Sequence, residues 1–238
     1  MAAVLVIGGA SGLGGEIAKA FLQQGDAVLL MDEVAPDGCL VDFAALDLAS
    51  PDVGERIVQA VCARLGGLDV LVIAASAMES APIHAWTAAM WDRACAINLR
   101  LPFLAVQGAL PLLQASRNAS VTIVSSTATL RGQPYTHAYQ ATKAGIAGLV
   151  RSLAAELGPD RIRVNAVLGG WLDTPLTRAY WETIPDAPSA RAGVDGRIPL
   201  RRHGSAAEAA ALVRFLASDA ASYMTGAMLP VDGGDTAV

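Results

Sequence analysis

The sequence predicts a single α/β domain built on a doubly wound parallel sheet with helices on both faces. Short apolar runs alternate with longer amphipathic segments along most of the chain, which is the pattern of right-handed β-α-β units. The apolar runs show no regular polar alternation, as expected of strands covered on both faces. Of the 238 residues, 53% are hydrophobic and 16% are charged, so the chain can build one large core and is not a disordered protein.

Six apolar runs are predicted as strands because each is short and rich in β-branched residues or leucine. They occupy residues 2–7, 27–31, 43–46, 69–75, 120–126 and 162–168. Five amphipathic segments between and after them are predicted as helices. These occupy residues 12–24, 52–65, 92–116, 138–157 and 206–218.

Two segments depart from this alternation. About ten residues, including Pro36 and Gly38, separate the second and third predicted strands, which is too few for a crossover helix and predicts a loop. Residues 176–200 contain several prolines and glycines and show no helical period, which predicts an irregular lid over a substrate site. No change in composition marks a second domain, so residues 1–238 are predicted to form one.

Charge, hydropathy and cysteine usage argue against several classes of protein. The net charge of −5 and the lack of a basic stripe argue against nucleic-acid binding. No uncharged apolar run reaches the roughly 18 residues of a membrane span, and the N-terminus is predicted as a buried strand and not as a signal peptide. Cys39, Cys62 and Cys95 lack metal-site spacing, as do the three histidines, which predicts a cytoplasmic protein with reduced thiols and no metal.

A glycine-rich turn follows the first predicted strand. Gly8, Gly12 and Gly14 stand in G-x-x-x-G-x-G spacing where a helix is predicted to begin. Glycines permit a tight turn and let the backbone approach a pyrophosphate, which the positive end of the helix attracts. The turn therefore predicts a dinucleotide site, with a plain strand-to-helix turn as the alternative.

Acidic residues after the second and third strands indicate how the nucleotide is recognised. Asp32 is suited to accept hydrogen bonds from the adenosine ribose hydroxyls and to repel a 2′-phosphate. Ser11 and Glu33 supply no compensating cation, so NAD is favoured over NADP. A solvated surface aspartate is the alternative for Asp32. Asp47 is a candidate for contact with the adenine amino group or, alternatively, for capping the next helix.

A phenol and an ammonium group lie four residues apart in a predicted helix. Tyr139 and Lys143 therefore share one helix face, and Lys143 is one of only two lysines in the chain. A nearby cation stabilises phenolate and lowers a tyrosine pKa from about 10, which suits a general acid/base for an alcohol–carbonyl pair. Ser126, at the carboxyl end of a strand, is a candidate to hydrogen-bond the substrate oxygen. Each of these signals is weak when taken alone.

Together, these motifs resemble those of the short-chain dehydrogenase/reductase family over essentially the whole chain. The matching segments keep the order and spacing of that family. They are GGASGLG (8–14), LDVLV (68–72), INL around Asn98, IVSS (123–126), YQATK (139–143), RVNAV (163–167), DTP (173–175), FLASDAASYMTG (215–226) and LPVDGG (229–234). The resemblance implies a Rossmann fold and an oxidoreductase that uses a nicotinamide cofactor.

The resemblance also implies a role for each site residue. Tyr139 would be the acid/base, and Lys143 would bind the nicotinamide ribose and tune Tyr139. Ser126 would orient the substrate, Asn98 would hold a water of the proton relay, and Thr174 would contact the nicotinamide carboxamide. Tyr139 would also contact the cofactor. The other cofactor contacts would be Gly8, Ser11, Gly12, Leu13, Gly14, Asp32, Asp47, Leu48, Ala75, Gly170 and Leu172.

Three segments differ from the family pattern. Ile7 replaces a threonine, Ile73-Ala74-Ala75-Ser76 replaces Asn-Asn-Ala-Gly, and Gly169-Gly170 replaces Pro-Gly. In the family, the threonine and asparagines tie neighbouring strands together, so we interpret Ile7 with Ile73 and Ala74 as a compensated exchange of polar for apolar side chains. Ser76 puts a side chain where the family has glycine, and the glycine pair is expected to loosen the loop after the sixth strand.

The predicted function is NAD-dependent interconversion of a secondary alcohol and a ketone by hydride transfer. The candidate substrate residues favour a neutral hydrophobic or cyclic alcohol, hydroxysteroid-like or dihydrodiol-like; they are Met78, Thr127, Tyr135, Trp171 and Trp181. A 3-oxoacyl-thioester reductase and a non-catalytic nucleotide-binding regulator on the same fold are the alternatives. By resemblance, residues 92–116 and 138–157 are expected to pair subunits in a homotetramer or homodimer.

Overall fold

A seven-stranded parallel sheet lies at the centre of the computed structural model, which describes residues 1–35 and 41–238. The strands of the molecule are β1 (Ala3–Ile7), β2 (Ala27–Asp32), β3 (Asp42–Ala45), β4 (Val70–Ile73), β5 (Ser120–Ser126), β6 (Arg163–Gly169), β7 (Leu172–Asp173), β8 (Gly204–Ser205) and β9 (Met228–Val231). The large sheet has the order β3-β2-β1-β4-β5-β6-β9, and β7 pairs with β8 separately. The predicted loop between β2 and β3 falls largely on residues 36–40, outside the described residues.

The strand order confirms the predicted doubly wound fold. Consecutive strands run outward from β1 to β3 and then, after a reversal, from β4 toward β9. Strand β9 lacks a counterpart among the predicted strands, because it is a half-exposed edge strand that contains Pro230. Strand β1 matches its prediction closely, since Val4 to Ile7 are all buried, with alternate residues in the cores on opposite faces of the sheet.

Helices cover both faces of the sheet. They are α1 (Gly12–Leu22), α2 (Val53–Arg64), α3 (Ala88–Cys95), α4 (Leu101–Ala115), α5 (His137–Leu157), α6 (Pro175–Glu182), α7 (Ala187–Arg197) and α8 (Ala206–Ala217). Helices α2, α4 and α5 supply the core on one face, and α1 and α8 supply the core on the other. This arrangement matches the two-sided burial predicted for the strands.

The prediction of an irregular segment over residues 176–200 is wrong, because α6 and α7 occupy most of it. Pro175 and Pro188 stand in the first turns of these helices, where a missing N–H breaks no helical hydrogen bond. The two helices are held by a small apolar cluster of Trp181, Val194 and Ile198. The prolines therefore start helices here and do not prevent them.

The helix predicted over residues 92–116 is interrupted. A π-helical turn, Ala96–Arg100, joins α3 to α4, and Asn98 lies within it. By length and composition, Ala88–Ala115 is apolar enough to cross a membrane, but half of its most apolar window is buried in the fold, as in a helix that packs on a core. Trp91 and Phe103 are each 44% exposed on this stretch. Its pairing with another subunit stays a prediction.

The pair Ile7 and Ile73 offers a test of the compensated exchange. The two residues are direct partners between β1 and β4, and both are buried. We expect Ile7→Thr and Ile73→Asn each to lower the free energy of unfolding by about 1–3 kcal/mol, because each buries a polar group without its partner. The double variant should lose less than the sum of the two, as measured by denaturant unfolding. Purely additive losses would contradict the exchange.

Candidate active site

A cleft of about 550 Å³ opens at the carboxyl ends of the central strands. It lies where the strand order reverses between β1 and β4, the place at which open α/β sheets bind their ligands. The start of helix α6 forms part of its wall. The cleft is lined by the glycine turn after β1, by Asp32, by the segment after β4, and by Ser126, Tyr139 and Lys143.

Two contacts between β5 and α5 hold the catalytic candidates together. The Lys143 Nζ donates a hydrogen bond of 2.9 Å to the Val124 carbonyl, and the Ser125 hydroxyl donates one of 3.1 Å to the Lys143 carbonyl. The Lys143 Nζ lies 5.8 Å from the centre of the Tyr139 ring. Because Ser126 ends the same strand, these contacts place its hydroxyl, the phenol and the ammonium group in one wall of the cleft.

Burial is the largest cause of the pKa shifts of Tyr139 and Lys143. Burial raises the pKa of the Tyr139 phenol, and the hydroxyls of Ser126 and then Ser76 lower it by a smaller amount. The spacing of Tyr139 and Lys143 predicted a lowered pKa for the phenol. The structure gives the reverse, because the effect of burial on this pKa is larger than that of the two hydroxyls. Burial lowers the pKa of Lys143 to about 8.

Asn98 lies behind the cleft and joins two parts of its wall. Its amide accepts a hydrogen bond from the Ala77 N–H and donates one to the Ala77 carbonyl, both of 2.8 Å. It also donates to the Thr142 hydroxyl at 3.1 Å, one residue before Lys143. Asn98 therefore ties the segment after β4 to helix α5, and its role in holding a water stays a prediction.

The glycine turn is closely packed and suits a pyrophosphate. Gly8 has a φ of +81°, and a Cβ on it would lie 2.2 Å from the Ala75 nitrogen. A Cβ on Gly14 would lie 2.1 Å from the Gly8 carbonyl oxygen. Helix α1 begins at Gly12, and the side chain of Ser11 makes no capping hydrogen bond, so the first-turn amides remain free to bind an anion. These features fit a dinucleotide.

Two neighbouring acidic residues, Asp32 and Glu33, line one end of the cleft. Asp32 accepts hydrogen bonds from the Ala10 N–H at 2.9 Å and the Glu33 N–H at 2.7 Å, and its side chain lines the cleft. Arg93, a cleft residue that was missed from the sequence, lies 3.9 Å from the Glu33 carboxylate. The carboxylates of Asp32 and Glu33 outnumber the Arg93 guanidinium, so this end of the cleft carries a net negative charge.

The other predicted cofactor residues fall into two groups. Asp47 lies outside the cleft lining and accepts the Ala49 N–H at 2.9 Å, in a turn before α2. The residues that do line the cleft are Ser11, Gly12, Leu13, Leu48, Ala75, Gly170, Leu172 and Thr174. A Cβ on Gly170 would lie 2.6 Å from the Asp232 Cβ, so this position requires glycine, and the loosening expected from the glycine pair stays a prediction.

The predicted substrate residues are divided between the cleft and its surroundings. Met78, Thr127 and Trp171 line the cleft. Trp181 stacks behind Trp171, with ring centres 5.0 Å apart, and Tyr135 lies outside the cleft lining with 53% of its surface exposed.

A second chamber of about 450 Å³ continues from the cleft. Thr127, Trp171 and Tyr180 line both spaces. The second chamber also contains Arg131 and Arg197, and each lies 3.2 Å from the buried Asp235 carboxylate. No group of three or more histidine, cysteine or acidic residues that would suit a metal ion is found in residues 1–35 and 41–238.

Comparisons with known proteins agree with this geometry. A family model described as enoyl-(acyl carrier protein) reductase matches residues 8–236. The 3-oxoacyl-[acyl-carrier-protein] reductase of Thermotoga maritima is 34% identical, over 97% of this chain and 96% of its own. The cis-4-hydroxycyclohexanecarboxylate dehydrogenase of Sinomonas cyclohexanicum is 37% identical, over 98% and 96%. The solved structure of Thermoplasma acidophilum aldohexose dehydrogenase matches with a TM-score of 0.95 at 29% identity, over 100% of this chain and 94% of that one.

Proposed function

The chain belongs to the short-chain dehydrogenase/reductase family, and we propose that it is an NAD-dependent enzyme that interconverts a neutral cyclic secondary alcohol and its ketone. Relatives of the chain are alcohol dehydrogenases and ketone reductases, and the family uses NAD or NADP. The observation that carries the proposal is the common cleft wall formed by Ser126, Tyr139 and Lys143 beside a glycine turn.

The three side chains of this wall have different roles in the proposed reaction. In alcohol oxidation, the Tyr139 phenolate takes the hydroxyl proton of the substrate while a hydride leaves the adjacent carbon. In ketone reduction, the Tyr139 phenol gives a proton to the same oxygen. Ser126 holds that oxygen by a hydrogen bond, and Lys143 supplies an ammonium group beside the phenol. When bound, the nicotinamide ring accepts or supplies the hydride.

Residues at the other end of the cleft would hold the cofactor. The first-turn amides of α1 would bind the pyrophosphate, as at other helix N-termini that follow glycine turns. Asp32 would bind the adenosine ribose, and Lys143 would donate to the nicotinamide ribose. This chain therefore has residues for both the adenosine end and the nicotinamide end of the cofactor.

Asp32 supports NAD over NADP as the cofactor. We expect Asp32→Asn to lower kcat/KM with NAD by about 10–100-fold, because it removes a charge-assisted hydrogen bond to the ribose. The same change should raise the relative efficiency with NADP, because it removes repulsion of the 2′-phosphate. Steady-state kinetics with both cofactors measure the ratio. Glu33→Gln, which removes the neighbouring charge, is the matched control and should change the ratio less. An unaltered ratio in Asp32→Asn would count against the assignment.

The aromatic lining of the second chamber supports a ring as substrate. Trp171 and Tyr180 contribute aromatic rings to its lining, and these two rings pack against each other with their centres 5.5 Å apart. Its two arginines share the single Asp235 carboxylate, which offsets only part of their positive charge. The Sinomonas relative is named for hydroxycyclohexanecarboxylate, whose ring agrees with this preference for ring shape and which also carries a negative charge.

Turnover of a substrate panel tests the proposal. The panel contains cyclohexanols, hydroxysteroids and dihydrodiols with NAD, and a 3-oxoacyl thioester with NADPH. Oxidation of a cyclic alcohol supports the proposed function. Faster reduction of the thioester would support the second candidate, which the Thermotoga relative favours. Binding of NAD without turnover of any of these compounds would support a non-catalytic regulator instead.

A further inference from the structure

Ser76 is a buried hydroxyl that the proposed chemistry does not use. It follows β4 closely and lines the cleft together with Tyr139 and Ser126. Its oxygen is inaccessible to solvent, and among the described residues it has no hydrogen-bond partner of regular geometry. Of the eight side-chain polar atoms in this state among the described residues, only the Ser76 oxygen belongs to a residue that lines the cleft, so its position calls for a functional explanation.

The backbone on either side of Ser76 is held in place. The Ala75 N–H donates to the Ile7 carbonyl at 3.1 Å, and both polar groups of Ala77 bond to the Asn98 amide at 2.8 Å. The direction of the Ser76 Cα–Cβ bond is therefore set by the fold. Asn98 also bonds to Thr142 in α5, so one side chain holds the Ser76 segment against the helix that carries Tyr139.

The Tyr139 phenol has a hydroxyl from each of two neighbouring strands close to it. Ser126 comes from β5 and Ser76 from the segment after β4, and each lowers the pKa of Tyr139 against the larger effect of burial. The other titratable side chains that line the cleft are Asp32, Glu33, Glu79, Arg93, Lys143 and Tyr180. Burial and the two serine hydroxyls account for the pKa shift of the phenol.

We propose that Ser76 is a positioning residue that donates a hydrogen bond to the Tyr139 phenolate and so stabilises it. The inference rests on the proposed role of Tyr139 as the acid/base. The proton of the reaction moves only between the substrate oxygen and Tyr139, and Ser76 keeps its own proton throughout. A glycine or an alanine at this position has no side-chain donor, so the phenolate would lose one of its two hydroxyl partners.

Substitution of Ser76 tests the proposal through the ionisation of Tyr139. With ¹³Cζ-labelled tyrosine, NMR follows each of the four tyrosines of the chain, and Tyr139→Phe assigns the signal. We expect Ser76→Ala and Ser76→Gly to raise the Tyr139 pKa by about half to one unit, from the usual strength of one hydrogen bond. Ser80→Ala, an exposed serine outside the cleft lining, is the matched control and should cause no shift.

The pH dependence of kcat gives a second readout. Its apparent pKa should rise by the same amount in both Ser76 variants, while Ser76→Thr, which keeps a hydroxyl, should restore the original value. An unchanged Tyr139 pKa in a folded Ser76→Ala or Ser76→Gly variant would overturn the proposal. A shifted NMR pKa in a chain that oxidises no secondary alcohol would support the role of Ser76 and overturn the proposed function, so the two failures are distinguishable.

Discussion

Tyr139→Phe is expected to lower kcat by roughly 10²–10⁴-fold, the usual contribution of a general acid/base. The Tyr139 ring is 8% exposed and packed in the wall of the cleft, so phenylalanine fits the same space and only the hydroxyl is lost. Steady-state kinetics with NAD and a secondary alcohol measure the loss. Titration of NADH fluorescence should show an affinity that is nearly unchanged, because most of the expected nucleotide contacts are made by other residues.

Tyr135→Phe is the matched control for this prediction. Tyr135 stands four residues earlier, is 53% exposed and lies outside the cleft lining, so its hydroxyl is not available to the substrate oxygen. We expect its activity to equal that of the unmodified chain. A fully active Tyr139→Phe variant would remove Tyr139 from the chemistry.

Lys143→Met is expected to stabilise the protein at pH 7 while abolishing its activity. Lys143 is 2% exposed, and within the described part of the chain its ammonium group bonds to one backbone carbonyl, that of Val124. Burial lowers its pKa from 10.5 to about 8, and one pKa unit corresponds to about 1.4 kcal/mol. The charged form therefore costs up to about 3 kcal/mol, part of which the Val124 hydrogen bond offsets. Activity is lost with the cation beside Tyr139.

The sign of the pH dependence follows from the lowered pKa. Below pH 8 both the folded and unfolded chains carry the charge, and the full cost of burying it is present. Between pH 8 and pH 10.5 the unfolded chain binds more protons, so the stability of the unmodified chain rises with pH through this group. The advantage of Lys143→Met should therefore be largest at pH 7 and nearly absent by pH 10.5, as measured by denaturant unfolding.

Lys19→Met is the control, because Lys19 is the other lysine of the chain. Its side chain is 62% exposed and lies 3.7 Å from Glu16 on the surface of α1. Substitution there should change the free energy of unfolding by less than about 0.5 kcal/mol at either pH. A Lys143→Met variant that is less stable than the unmodified chain at pH 7 would show that the buried charge carries no net cost.

Most of the fold could be predicted because strands covered on both faces are visible as apolar runs. Strands β5 and β6 lie within one residue of their predictions at each end. Helices α6 and α7 were missed because their prolines suggested a break, and because their apolar contacts arise through Trp181, Val194 and Ile198, which meet only in the folded chain. Strand β9 was missed because an edge strand with one proline lacks the signal of a buried one.

Candidate site residues could be predicted where a local pattern places them. Gly8, Gly14, Asp32 and Tyr139 line the cleft as expected, since each follows from its spacing relative to a strand or helix. Arg93 belongs to a segment without a local motif. Its position in the cleft depends on how α3 packs, which spacing along the chain does not describe.

The sequence by itself determined the parallel sheet, the glycine turn and the shared helix face of Tyr139 and Lys143. These features involve residues only a few positions apart in the sequence, and the geometry of a strand, a turn or a helix sets how such residues lie relative to one another. Only the tertiary structure decided that the Lys143 ammonium is buried, and that Asn98 ties Ala77 to helix α5. Burial and hydrogen-bond partners come from segments far apart in the chain, so they exist only once β4, β5 and α5 have packed together.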